Sequence, residues 1–156
     1  MNNEEMMQYL DRAKPISEIE HERWLENILQ RPDCIFFAME ADEPPQHFGN
    51  IWLWSIDSRH RKAEIRLIIG EEAFVGKGLG TEAITLLCTY AFTRLNLNKI
   101  YSFVLASNPR GKRSFEKAGF QVEGILRKDR WGGSHFTDVY VLGNLNESQQ
   151  QNLSHL

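Results

Sequence analysis

Cysteine is scarce in this sequence. Its 156 residues hold two, Cys34 and Cys88, far apart and in no C-x-x-C pair. That excludes a disulfide framework and fits reduced thiols in a cytosolic protein. Zinc spacing is lacking too: His21, His47, His60, His135 and His155 form no H-x-x-x-H and none sits beside a cysteine at ligand distance, so no metal site is expected. No apolar run approaches the roughly 18 residues needed to span a bilayer. The acidic start "MNNEEMMQYLDR" has no basic region followed by an apolar core, so it does not read as a signal peptide. Excess positive charge is missing as well. A net charge of −3 gives no footprint for nonspecific nucleic-acid binding.

What is present suits one globular domain: 42% hydrophobic and 25% charged residues over a length that supports a real core. The domain is expected over residues 1–143, with 144–156 a polar tail. After a first helical segment at the start, Ser17 and Glu20 make a capping box, predicting a helix from about Glu18 to Gln30, closed by Pro32. "CIFFAMEA" reads as a strand, and "DEPPQ" (42–46) as a turn that no strand would tolerate. "FGNIWLWSI" (48–56) is apolar on both faces, which suits an interior strand. "AEIRLIIG" (63–70) and "KIYSFVLA" (99–106) are further strands. Leu79, Ala83, Leu87, Ala91 and Leu95 recur at four-residue steps, the stripe of an amphipathic helix. "PRGKRSFEKAG" (109–119) has Pro109 in its first turn and Gly119 past its end. "VEGILRKDRW" and "HFTDVYVLG" read as a hairpin around Gly132-Gly133. The order β-β-β-α-β-α-β-β after the helices points to an α+β or mixed α/β single domain.

One stretch carries chemistry. "VGKGLGTEA" (75–83) places Gly76, Gly78 and Gly80 at the start of a helix. Glycine lets backbone approach a ligand closely, and a helix start leaves N–H groups without partners, so an anion, most simply a phosphate, is the expected guest. A P-loop is excluded: Gly70 to Gly76 is one residue too long, and Lys77 is followed by Gly78 instead of a hydroxyl. "GLGTEA" satisfies the dinucleotide pattern G-x-G-x-x-G/A literally. That reading also fails, because no Asp or Glu lies between Glu82 and Glu116 to hold a ribose and no βαβ unit starts the fold.

"LIIGEEAFVGKGLGTEAITLLCTYAFTRLNLNKIY", "NPRGKRSFEKAGFQVEG" and "GGSHFTDVYVLG" together resemble the GNAT superfamily of acetyl-CoA-dependent N-acetyltransferases, over roughly residues 16–143. The branch most similar holds ribosomal-protein N-terminal, spermidine and amino-sugar acetyltransferases. Gly78 and Gly80 match its signature [RQ]-x-x-G-x-[GA], while Val75 replaces the usual Arg or Gln. The resemblance implies a single-domain, mostly antiparallel mixed sheet flanked by helices. It implies acetyl-CoA as co-substrate, a primary amine as acceptor, and direct transfer in a ternary complex. Backbone amides of Val75, Gly76, Lys77, Gly78, Leu79, Gly80 and Thr81 would take the pyrophosphate, so Val75 costs little. Leu67, Ile68 and Ile69 would offer backbone groups to the pantetheine arm. Asn108 matches the family asparagine that bonds that arm, and it also suits a helix cap. Arg113, with Arg110, Lys112 and Lys117, would flank the adenosine 3′-phosphate or form a solvated helix face.

Strand alternation sets Glu64, Arg66 and Ile68 on one face, opposite Ala63, Ile65, Leu67 and Ile69. Glu64 stands where relatives carry a glutamate that works as a base through water; a structural ion pair with Arg66 is the other reading. Spermidine-type relatives place a tyrosine seven residues after the asparagine, and Phe115 stands there, so the leaving thiolate departs unassisted or through water, another donor such as Tyr140 serves, or nothing is transferred. A non-catalytic CoA-binding module is therefore the rival function, and a structural protein with an empty loop the third. Trp52, Trp54 and Trp131 line an acceptor pocket or belong to the core. Relatives of this branch begin with a strand and a longer helix, so the first strand is expected to be missing here. That would leave "CIFFAMEA" with an unpaired edge and favour a homodimer.

Overall fold

The computed structural model describes residues 18–42, 44–70 and 74–147. The helical segment expected before Glu18, and the question of a first strand, lie outside the described residues. Element order is α1 (Glu18–Gln30), β1 (Ile35–Asp42), β2 (Pro45–Asp57), β3 (Lys62–Ile69), α2 (Leu79–Thr93), β4 (Lys99–Leu105), α3 (Pro109–Lys117), β5 (Gln121–Trp131) and β6 (Phe136–Leu145). The strands form one six-stranded sheet in the order β1-β2-β3-β4-β6-β5. Every neighbouring pair is antiparallel except β3 and β4, which run parallel. This is the mixed, mostly antiparallel α/β domain that the pattern predicts.

Two boundaries differ from the sequence reading. The segment 42–46 is not all turn: Asp42 pairs with Pro45 and Ala41 with Gln46, so β2 starts at its proline. Proline is tolerated there because the first residue of a strand need not donate to the ladder. At the other end, β6 runs two residues past 143 and Asn146 is buried. The Asn146 amide reaches the Phe92 and Leu97 carbonyls, at 3.4 and 3.1 Å. Those bonds tie the chain to the end of α2 and hold the first residues of the expected tail inside the domain.

The core lies between one face of the sheet and helices α2 and α3. Ile51 and Leu53 of β2, Ala63 and Ile65 of β3, and Ile100 and Val104 of β4 meet Ile84, Leu87, Cys88 and Ala91 of α2 and Phe115 of α3. Helical periodicity thus places the predicted stripe inward, with Ile84 and Cys88 widening it. The opposite face meets α1, where Trp24 sits edge-on to Trp52 and Phe36, with ring centroids 5.7 and 6.1 Å apart.

Candidate active site

The sheet is incomplete at its centre. Strands β3 and β4 pair only through Lys62–Lys99, Ala63–Ile100 and Glu64–Tyr101. Ser102 Oγ donates to the Ile65 carbonyl at 3.1 Å, a side chain standing in for the next rung. Beyond it the strands part, and the facing backbone groups of Arg66–Ile69 and Ser102–Leu105 have no strand between them. The buried serine in "KIYSFVLA" is the sequence signal for that parting, and the sequence reading missed it.

The glycine loop lies on the helix side of this wedge. Gly76 and Gly78 adopt φ of 78° and 77°, a left-handed conformation in which L side chains are strained. Gly78 is the N-cap of α2 and no side chain caps the helix. Among the described residues no side chain takes the first-turn N–H groups of α2, and the positive end of the helix dipole stands behind them. At Gly80 the chain itself asks for no glycine. A Cβ there would meet Leu67 Cδ1, Ile69 Cδ1 and Ser114 Oγ at 3.6–3.8 Å, ordinary contact distances.

Leu67 and Ile69 point to this side, while Ile68 faces the other with Glu64 and Arg66, as alternation predicts. Asn108 is the N-cap of α3: its Oδ1 accepts from the Gly111 N–H at 2.9 Å. Its amide Nδ2 stays without a partner among the described residues, so capping and ligand binding are compatible. Arg110 and Arg113 on α3 are solvent-facing or nearly so, whereas Lys112 is spent on Glu116 at 2.9 Å, four residues on.

On the opposite face, Glu64 and Tyr101 form the last pair before the strands part. Glu64 is buried, with its side chain 7% exposed; Arg66, 47% exposed, holds it at 2.7 Å. The ion-pair reading of Glu64 is therefore realised, yet Oε1 accepts no hydrogen bond from the described residues. Burial pushes the Tyr101 hydroxyl above its ordinary value, and the Glu64 charge adds to that. Trp54 lies between two guanidiniums, Arg31 at 3.8 Å and Arg66 at 5.1 Å from its ring centre. Tyr101 and Phe103, 5.9 Å apart edge to face, form the β4 lip. Their alternation was visible in "KIYSFVLA" but not used.

The three tryptophans do not gather into one pocket. Trp52 is core, 4% exposed, and Trp54 is the guanidinium platform. Trp131 is 54% exposed on the outer strand β5, against Phe136. The order β4-β6-β5 puts a whole strand between it and the wedge. Phe115 is buried with its ring edge-on to Phe120 at 5.0 Å, and Tyr140 on β6 lies opposite Val104 with Lys112 Nζ 5.1 Å from its ring centre.

The acetyltransferase (GNAT) domain family matches residues 1–121. This chain belongs to the GNAT family. The GNAT chain is 41% identical over 90 residues to the spermidine N(1)-acetyltransferase of Escherichia coli K12, covering 58% of this chain and 47% of that protein. It is 36% identical over 118 residues to the enzyme of the same name from Vibrio cholerae, covering 72% and 67%. It is 39% identical over 93 residues to the putative ribosomal N-acetyltransferase YdaF of Bacillus subtilis, covering 59% and 50%. This chain thus spans about half the length of the first and last of these relatives. In three dimensions it superposes on the spermidine N-acetyltransferase of Vibrio cholerae in complex with CoA and spermine with a TM-score of 0.85, at 29% identity, covering 94% of this chain and 85% of that one.

Proposed function

We propose that this protein is an N-acetyltransferase that moves the acetyl group of acetyl-CoA to a primary amine by direct transfer in a ternary complex. The observation that carries the proposal is the wedge between β3 and β4, with free α2 N–H groups on one side and a buried carboxylate at its apex on the other. Acetyl-CoA, once bound, supplies an activated acetyl thioester. The amides of residues 75–81 hold the pyrophosphate. The open edge of β3 at Leu67, Ile68 and Ile69, with Asn108 Nδ2, holds the pantetheine arm. Arg113 stands by the 3′-phosphate.

Glu64 accepts the amine proton, through water, at its free Oε1. A base matters because a lysine-like amine of pKa about 10.4 is almost wholly protonated at neutral pH. The leaving group is an alkyl thiolate, a far weaker base than an alkoxide, so it departs far more readily. Phe115, in the core, offers no proton, and none is required of it.

Phe115 also motivates the second reading, a CoA-binding module without turnover. Thermal unfolding with acetyl-CoA, CoA, NAD and ATP in parallel tests the binding. A ligand at about 100 times its Kd adds roughly 2.7 kcal/mol, and the proposal requires that shift from acetyl-CoA and CoA alone. Amine-dependent release of free thiol then separates enzyme from module. No shift with acetyl-CoA would end both readings.

The two free cysteines suit a reducing compartment, and the cytosol is the one we propose. Among the described residues strand β1 lies at the edge of the sheet, which supports a homodimer through that edge. A strict monomer in light scattering at high concentration would overturn it.

A further inference from the structure

We infer that the acceptor amine carries a carboxylate, received by Arg66, and that a polyamine is a poor acceptor. The inference rests on the acetyl-transfer reading and deepens it. Helices α2 and α3 and the glycine loop occupy one side of the wedge, while α1 lies on the other over β1 and β2, so the acceptor reaches the apex from the side of Glu64 and Arg66. Arg66 is the charge it meets first, one alternation step beyond Glu64 on the same strand face.

That guanidinium is held in place before any ligand arrives. Its Nε and Nη2 both bond Glu64 Oε2, at 2.8 and 2.7 Å, and it lies over the Trp54 ring. Two of its five N–H donors are used there, and the side chain is still 47% exposed. The remaining donors face solvent at the lip, in the planar fork that suits a carboxylate. Across the wedge, Tyr101 and Phe103 present an aromatic wall that suits the apolar part of such a substrate.

A polycation would need carboxylates without cationic partners beside the apex, and Glu64 and Asp33 each already hold an arginine. Arg31 binds both oxygens of Asp33, at 2.9 and 2.8 Å, while Arg66 binds one oxygen of Glu64. Lys62 lies 5.8 Å from the Tyr101 ring centre and adds a further positive charge. The exposed Glu22 and Glu26 belong to α1, which packs on β1 and, through Trp24, on Trp52 of β2, and neither is salt-bridged to Arg66 among the described residues. Glu64, the carboxylate nearest the reacting amine, is paired with Arg66, so the exposed charge at the lip is the guanidinium's.

The test compares kcat/KM, read as free-thiol release from acetyl-CoA, for alanylglutamate amide, alanylglutamine amide and spermidine. The two peptides differ only in the carboxylate. Wild-type protein is expected to favour alanylglutamate amide by about tenfold, the worth of one charge-assisted hydrogen bond, and to use spermidine least. Arg66→Gln is expected to bring the peptide ratio to near one. The ratio cancels any loss of kcat common to both peptides from freeing Glu64. If Arg66→Gln does not fold, Arg66→Lys, which keeps the charge and loses the fork, should give an intermediate ratio. A wild-type ratio near one, or spermidine as the best acceptor, overturns the inference and leaves acetyl transfer standing. No amine-dependent thiol release from any acceptor overturns both.

Discussion

Arg66 holds Glu64 through a single oxygen: Nε and Nη2 both converge on Oε2. The partners are unequal, because one is buried and the other half in solvent. Arg66→Gln strands a buried carboxylate and should cost about 1–3 kcal/mol. Glu64→Gln leaves a guanidinium that water solvates, and should cost under about 1 kcal/mol. Denaturant melts check that order. In activity the order reverses: Glu64→Gln should lower kcat by about 10²–10⁴, with KM for acetyl-CoA unchanged.

Gly78 and Gly80 should respond oppositely to alanine. At Gly78 a side chain meets φ of 77°, so Gly78→Ala should destabilise by about 1–2 kcal/mol. At Gly80 there is room inside the protein and alanine favours a helix, so Gly80→Ala should melt at or slightly above wild type. Its methyl should still cost CoA binding at least about tenfold by keeping a ligand from the N–H groups, seen as a lost thermal shift. Unchanged CoA affinity in Gly80→Ala would remove the phosphate site from Gly80.

Asn108 and Gly111 form a second local pair. Asn108→Ala should cost about 1 kcal/mol through the lost cap. Gly111→Ala brings a Cβ within 2.5 Å of Asn108 Nδ2, so it should displace that amide and raise KM for acetyl-CoA beyond what stability explains. Calorimetry beside CoA titration separates the two effects.

Cys88 should be inert in the folded protein. It is buried under α2, and burial pushes its thiol up to about 12. Cys34 is half-buried and raised too, by the same cause, though less enclosed. A disulfide-exchange reagent near pH 8 should titrate one thiol slowly and the second only with unfolding. Two fast thiols would contradict the packing of α2.

Asp57 should make the fold acid-sensitive. Its Oδ1 accepts the His60 and Arg59 N–H groups at 2.8 and 2.9 Å. Those bonds, the one from His60 foremost, hold its carboxyl below the ordinary 3.8. A depressed value in the folded state means stability that is present above the unfolded pKa and lost as pH falls through the folded one. Wild type should therefore lose its advantage over Asp57→Ala as pH drops below about 4, and melts from pH 7 to 3 would show the curves converging.

Local patterns carried most of the fold into view. The stripe from Leu79 to Leu95 specified α2, and alternation alone set Glu64 and Arg66 on one face with Leu67 and Ile69 on the other. The glycine loop and Asn108 were legible because turns and caps need particular residues at particular places. What escaped depends on contacts between distant strands. Nothing local to Trp131 says that β6 inserts between β4 and β5, and nothing local to Pro45 says that β1 pairs with it across the turn. The left-handed Ser55 and Lys128, at φ of 52° and 48°, lie within the register shifts of β2 and β5. They are kinks that neither residue type advertises.

Because only three ladder pairs and the Ser102–Ile65 bond join β3 to β4 among the described residues, the sheet is two three-stranded plates meeting along a short seam, with Glu64 and Tyr101 at its pin. Any change in the angle between the plates swings Ile69 and Leu105 widely and moves the pin least. A carboxylate at that pin would keep its place if the slot around it widened, so the proposed grip on a long thioester and the proposed aim of the proton acceptor would be mechanically separate.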